Sequence, residues 1–154
     1  MTQEQFASLM QPVIEFIAGK PVDRALADAL NQRFPASGAD VMAMEFACIS
    51  AIKSGWMCTQ GGPGRRFGRV IQASPETLDL SVDVVDLTEI VGPLHRHPLG
   101  EICLVMPVDE TAKFDGKGRG WCVYGPNSAH RPTVKGGRAL VLYLLPSGKI
   151  EFVE

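Results

Sequence analysis

Cysteine, histidine and charge of one sign are all scarce in this chain of 154 residues, and each scarcity excludes something. The four cysteines, Cys48, Cys58, Cys103 and Cys122, form no Cys-x-x-Cys pair, and their wide spacing fits neither a zinc ribbon nor a dithiol redox centre. They read as buried free thiols in a reducing compartment. The longest apolar run, residues 139–145, is far too short to cross a bilayer. The start, Met1-Thr2-Gln3-Glu4-Gln5, lacks the basic region and apolar stretch of a secretory signal, so a cytoplasmic location is expected. A net charge of −2 with mixed signs gives no basic field, and helices carrying Glu4, Glu15 and Asp23 offer no recognition helix. Neither nucleic acid nor a membrane is an expected partner. There is no Gly-x-Gly-x-x-Gly strand-to-helix fingerprint and no phosphate loop, so no nucleotide cofactor is expected.

What is present divides the chain near Gly55. Before it, Phe6, Leu9, Val13 and Phe16 recur at helical spacing, and Gly19 with Pro21 gives a stop. A second helix is predicted from about Asp23 to Arg33, with Leu26 and Leu30 on one face. A third, after Ser37-Gly38, carries Val41, Met44, Cys48 and Ala51 and ends at Ser54-Gly55. Residues 1–54 are therefore expected to form a helical segment packed on a β-domain of residues 55–154.

After Gly55 the pattern turns to short strands. Phe67, Arg69 and Ile71 alternate with Gly68 and Val70, and Leu78, Leu80, Val82 and Val84 alternate with Asp79, Ser81 and Asp83. Further strands are predicted over residues 102–107, 120–124, 139–145 and 149–153, the last two joined as a hairpin through Pro146-Ser147-Gly148. Short strands punctuated by Gly and Pro favour a β-barrel or jelly roll over a parallel α/β sheet. The expected fold class is mainly β with N-terminal helices.

All three histidines fall into one pattern. His95 and His97 are two residues apart, which on a strand puts both imidazoles on one face. Glu101 follows after Pro98-Leu99-Gly100, a turn-forming stretch, and shares their parity. The turn-rich run from Gly125-Pro126 delivers His130 from a strand distant in sequence. Three imidazoles and a carboxylate suit one borderline divalent metal ion: iron, manganese, nickel, cobalt or zinc. A structural zinc site would be closed and rich in thiolate, which this set is not.

His95-x-His97-x-x-x-Glu101 resembles the first motif of the cupin superfamily, and the Gly125-Pro126 turn before His130 resembles the second. One departure is plain: the usual second motif is Pro-x-Gly-x-x-His, whereas Pro126-Asn127-Ser128-Ala129-His130 brings proline one place nearer and lacks the inner glycine. The resemblance implies a double-stranded β-barrel (jelly roll) holding a metal at His95, His97, Glu101 and His130. A narrower resemblance runs through Arg66-Phe67-Gly68-Arg69-Val70-Ile71, Ser81-Val82-Asp83-Val84-Val85-Asp86, Gly92-Pro93-Leu94-His95-Arg96-His97 and residues 120–134. It is to a bacterial cupin family that includes 4-hydroxylaminobenzoate lyases of nitroaromatic breakdown.

That resemblance implies conversion of a small aromatic carboxylate, 4-hydroxylaminobenzoate, to 3,4-dihydroxybenzoate and ammonia. Such a reaction needs a general acid and a base, for which Glu101 and Tyr124 are the candidates. It also needs a carboxylate anchor. Arg69 shares a strand face with Phe67 and Ile71 and is the first candidate, with Arg66 on the opposite parity. Arg96 is expected to point outward, and Arg131 to serve the rim. Tyr143 and Tyr124 are candidates to line the pocket, with Trp121 facing away from Tyr124. Two other classes stay open, a cupin dioxygenase and a non-enzymatic small-molecule binder. Apolar helices and β-edges make a homodimer an expectation.

Overall fold

The computed structural model describes residues 1–153. Three helices come first: α1 (Gln3–Ile17), α2 (Arg24–Arg33) and α3 (Ala39–Ser54). Their ends follow local chemistry. Thr2 and Gln5 form a reciprocal capping box at the start of α1, the Asp23 side chain accepts from Leu26 N at the start of α2, and Gly55 closes α3 in the left-handed region at φ 86°.

Ten strands follow: β1 (Gln60–Gly62), β2 (Arg65–Ile71), β3 (Leu80–Val91), β4 (His95–His97), β5 (Glu101–Pro107), β6 (Lys113–Phe114), β7 (Gly120–Tyr124), β8 (Ser128–His130), β9 (Thr133–Pro146) and β10 (Glu151–Phe152). They form two antiparallel sheets. The large one runs β1-β2-β3-β9-β5-β7, with β6 on β9, and the small one runs β10-β4-β8. The sheets face each other as an open jelly roll rather than a continuous closed barrel.

The large sheet is buried on both faces. On its outer face Val82, Val84, Leu104, Leu142, Leu144 and Trp121 pack with Phe6, Met10, Leu30 and Met44 of the helices. On its inner face Leu87, Cys103, Val105, Cys122 and Val141 form a second cluster with Phe114. This explains why β5 is buried at every position instead of alternating. Each large apolar side chain so buried contributes about 1.5–3 kcal/mol. The exposed edge of β7 is blunted by α2: Asn31 donates to the Trp121 carbonyl and accepts from its N–H, standing in for a neighbouring strand.

Three strand expectations are corrected. Residues 78 and 79 have positive φ and belong to a turn, so β3 begins at Leu80 and runs on to Val91. The segment after Pro146-Ser147-Gly148 does not fold back on β9; it crosses to the small sheet, where Phe152 pairs with His95 and Glu151 with Arg96. Third, β2 shifts register between Arg69, opposite Asp83, and Ile71, opposite Val82. This bulge inserts one residue and reverses the side-chain parity beyond it. Phe67 and Arg69 therefore face inward, while Ile71 joins the helix-side cluster. Among the described residues no helix is long and apolar enough to cross a membrane.

Candidate metal centre

His95 and His97 occupy alternate positions of β4 and both are buried. His130 stands directly opposite His95 on the neighbouring β8. Its turn is built on Asn127, whose φ of 67° supplies the left-handed conformation at the position where the usual motif has glycine. Asparagine tolerates that region better than most residues, so the departure in sequence leaves the turn intact. Asn127 N also donates to the His97 carbonyl at 2.8 Å, tying the two motifs together.

Glu101 reaches the cluster differently from expectation. Parity with His95 and His97 does not carry across the turn. Gly100 N donates to the His97 carbonyl, Gly100 takes φ 91°, and the chain passes from the small sheet into β5 of the large one. A Cβ at Gly100 would lie 2.6 Å from the Val22 side chain and 2.9 Å from the Tyr124 carbonyl, so only glycine allows this passage. Glu101 is thus the donor that comes across from the opposite sheet.

The four side chains offer donor atoms that all lie within 4.8 Å of one another. His130 Nε2 is 3.2 Å from both His95 Nε2 and His97 Nε2, and His97 Nε2 is 2.7 Å from Glu101 Oε2. Three imidazole nitrogens facing one another cannot all be satisfied by shared protons. A cation among them satisfies every lone pair, and donor separations of about 3 Å are the edges expected when metal–nitrogen bonds are about 2.0–2.1 Å. The residues fit one borderline divalent ion.

The protonation states support the same reading. Burial, with His97 beside it, lowers His95 to about 4, which keeps it neutral. Glu101 is pulled to about 2: burial opposes ionisation, but hydrogen bonds from His130 and His97 outweigh it. Burial pushes the Cys103 thiol well above its usual range, so it stays protonated and donates to Glu101 Oε1 at 2.7 Å.

One residue that the sequence reading did not single out completes the site. Asp115 Oδ2 accepts from His130 Nδ1 at 2.8 Å and from the Tyr124 hydroxyl at 2.5 Å, and Oδ1 accepts from Thr133 N at 2.9 Å. A carboxylate behind a ligating histidine fixes its tautomer and ring orientation. Asp115 and Gly116 have φ 50° and 79°, and Lys117 N donates to the Phe114 carbonyl. This is a two-residue hairpin turn, for which Asp-Gly is the strongest local signal. That dipeptide was legible; its aim at His130 was not.

Burial lowers His130, but Asp115 and Glu101 more than offset this and raise it to about 9. In the metal-free protein His130 is therefore protonated at neutral pH, and a metal must displace that proton. We expect metal binding at pH 7.5 to release about one proton and to tighten as pH rises toward 9. Calorimetry in two buffers of different ionisation enthalpy measures the release, and no difference between them would contradict it. In the metal-free state the stability from the raised His130 is fully present below about pH 6.5 and is lost as pH rises through 9.

A cavity opens beside the cluster. His95 and Glu101 form part of its wall, with Phe67, Val85, Leu87 and Val141 giving an apolar surface. Tyr143 lines it, and burial together with Asp83 keeps its phenol protonated. Tyr124 stacks on His130, ring centroids 4.2 Å apart, with its hydroxyl engaged by Asp115, and is not among the residues lining the cavity. Trp121 faces the helices and donates from Nε1 to the Phe34 carbonyl.

The arginines fall out differently from their sequence order. Arg69 points inward but is held by Asp83 through Nε at 3.0 Å and Nη2 at 3.2 Å, and does not line the cavity. Arg66 does not line it either, and Arg96 pairs with Glu151 at the surface. The arginine in the cavity wall is Arg65. It shares parity with Phe67, a signal that was available in the sequence.

Paired antiparallel sheets around a buried cluster of three histidines and one glutamate, beside an apolar cavity, define a protein of the cupin class. The chain belongs to the 4-hydroxylaminobenzoate lyase family, an enzyme family: the family model described as "PnbB: 4-hydroxylaminobenzoate lyase" matches residues 8–152. It is 28% identical over 140 residues to a 4-hydroxylaminobenzoate lyase of Pseudomonas putida, covering 80% of each chain. It is 33% identical over 111 residues to a 4-hydroxylaminobenzoate lyase of Nocardioides sp. (strain LMS-CY), covering 66% of this chain and 65% of that one. Similar solved structures include an oxalate oxidase in complex with the substrate analogue glycolate (21% identity, 62% of this chain and 58% of that one, TM-score 0.44). Another is an RmlC-like cupin protein of Ralstonia eutropha (10% identity, 60% and 62%, TM-score 0.46).

Proposed function

We propose that this chain is a metal-dependent lyase that converts 4-hydroxylaminobenzoate, or a closely related aromatic hydroxylamine, to 3,4-dihydroxybenzoate and ammonia. The observation that carries the reading is the convergence of His95, His97, Glu101 and His130 beside an apolar cavity in a chain of this family. The reaction consumes one water and no external oxidant, because cleavage of the N–O bond supplies the oxidising equivalents for the ring. No nucleotide is required.

His95, His97, His130 and Glu101 hold the divalent ion, which when bound supplies Lewis acidity at an oxygen and a water of lowered pKa. Asp115 keeps the His130 ring oriented, and Tyr124 holds Asp115 in place. The apolar walls exclude bulk water and strengthen every charge interaction within. Tyr143, a neutral phenol in the wall, is the proton donor to the departing oxygen. Among the described residues Glu101 is the only carboxylate in the wall and so also the group able to accept the ring proton. Tyr124 is thereby a positioning residue, and Tyr143 takes the place of Tyr124 beside Glu101 in the acid–base pair.

The test is an anaerobic assay of metal-reconstituted protein with 4-hydroxylaminobenzoate, following both products. Equimolar 3,4-dihydroxybenzoate and ammonia without oxygen are expected. A requirement for oxygen, or binding without turnover, would overturn the lyase reading in favour of an oxygenase or a binding protein respectively.

A further inference from the structure

The floor of the cavity crosses four consecutive strands of the large sheet. Arg65 and Phe67 come from β2, Val85 and Leu87 from β3, Val141 and Tyr143 from β9, and Glu101 from β5. Arg65 and the metal-binding cluster thus stand at diagonally opposite corners of this floor: three strand spacings, about 14 Å, separate them across a flat sheet, and because Arg65 is level with Pro107 of β5, about 20 Å separates it from Glu101 along the strands. The curvature of the sheet and the reach of both side chains shorten that span. Between the two polar ends the floor is apolar except for the Tyr143 hydroxyl, and Ile150 and Phe152 add apolar surface from the other side.

Arg65 is the only cationic side chain in the cavity wall among the described residues. Among the described residues no carboxylate lies within ion-pair distance of it, whereas Arg69, Arg96, Arg119 and Arg138 each have one. Its guanidinium lies over the Phe67 ring, 4.5 Å from the centroid, a contact that orients the planar fork without neutralising it. A half-buried, unpaired guanidinium at the end of an apolar slot suits an anion carried on an apolar body.

We propose that Arg65 binds the substrate carboxylate and makes the site selective for aromatic acids whose acid group lies across the ring from the reacting nitrogen. This rests on the lyase reading for its substrate but not for its anion site. The guanidinium fork takes both carboxylate oxygens, the ring lies along the apolar floor, and the opposite end of the ring reaches the donors of the cluster. Arg65 replaces Arg69 and Arg66 as the anchor.

The experiment compares metal-loaded wild type with Arg65→Met and Arg65→Lys. Turnover is measured on 4-hydroxylaminobenzoate and on its uncharged amide, and binding of unreactive benzoate by calorimetry, with thermal melts to verify folding. Arg65→Met is expected to lose on the order of 10²-fold in kcat/KM on the acid, mainly through KM. It should change little on the amide and lose benzoate binding, with Arg65→Lys intermediate. An unchanged acid-to-amide preference together with intact benzoate binding would overturn the proposal. If the wild type turns over neither hydroxylamine, the lyase reading fails, and the benzoate comparison still decides for or against Arg65.

Discussion

Replacing His97 with alanine is expected to abolish both metal binding and turnover while leaving the chain folded. His97 is fully buried, its Nε2 stands 3.2 Å from that of His130 and 2.7 Å from Glu101, and it is central to the donor set. Without it three donors remain, and Glu101 loses a hydrogen bond that helps keep its carboxylate ionised at 2% exposure. The affinity loss is compounded because a buried carboxylate with fewer partners competes less well for a cation against a proton. A drop in turnover on the order of 10³ or more is expected from loss of the Lewis acid. Metal content after dialysis, the anaerobic product assay and far-ultraviolet circular dichroism together give the measurement. A folded His97→Ala protein that is free of metal yet fully active would remove the metal from the mechanism.

Arg69→Met is expected to act on stability rather than on substrate binding. Asp83 is 6% exposed, and burial raises its carboxyl while the two-pronged bond from Arg69 pulls it down. Arg69 also donates to the Gly148 carbonyl, clamping the turn that sends the chain from β9 to the small sheet. Removing one partner of a buried pair leaves an uncompensated charge, which costs about 3–5 kcal/mol. The partial exposure of the Arg69 side chain, 28%, brings the expectation to about 2–3 kcal/mol. Without Arg69 the Asp83 carboxyl rises further above its unfolded value. The deficit is therefore largest at neutral pH and narrows as the pH falls and Asp83 takes up a proton. Urea unfolding at pH 7 and pH 5 measures both effects. A variant of unchanged stability that fails to bind the aromatic acid would return the anchor role to Arg69 and argue against Arg65.

Much of the local structure was legible. The three helices announced themselves through periodic apolar residues and through Asp23, Gly38 and Gly55 at their ends, because capping and burial of one face are local requirements. The donor set was legible because the strand period places His95 and His97 together and because the chain has no other histidines to distribute. The hairpin expected after Pro146 was not right, since a tight turn says only that the chain reverses and not which strand it then joins. The parity argument for Arg69 gave the correct face, but could not reveal that Asp83 on the adjacent strand occupies it.

The amino-acid order by itself determined the element types, the mainly β class and three of the four residues that converge, because each depends on residue type and on spacings of two to four positions; the fourth, His130, was legible as the one remaining histidine. Tertiary structure alone decided that Glu101 crosses from the opposite sheet, that Asp115 backs His130, and that Asp83 takes up Arg69 and leaves Arg65 to the cavity. These facts depend on a left-handed glycine at a change of sheet, on the pairing of β6 with β9 that sets the aim of the Asp115 turn, and on an ion pair between adjacent strands. Such contacts arise only when strands far apart in sequence pair and the two sheets close over a shared interior.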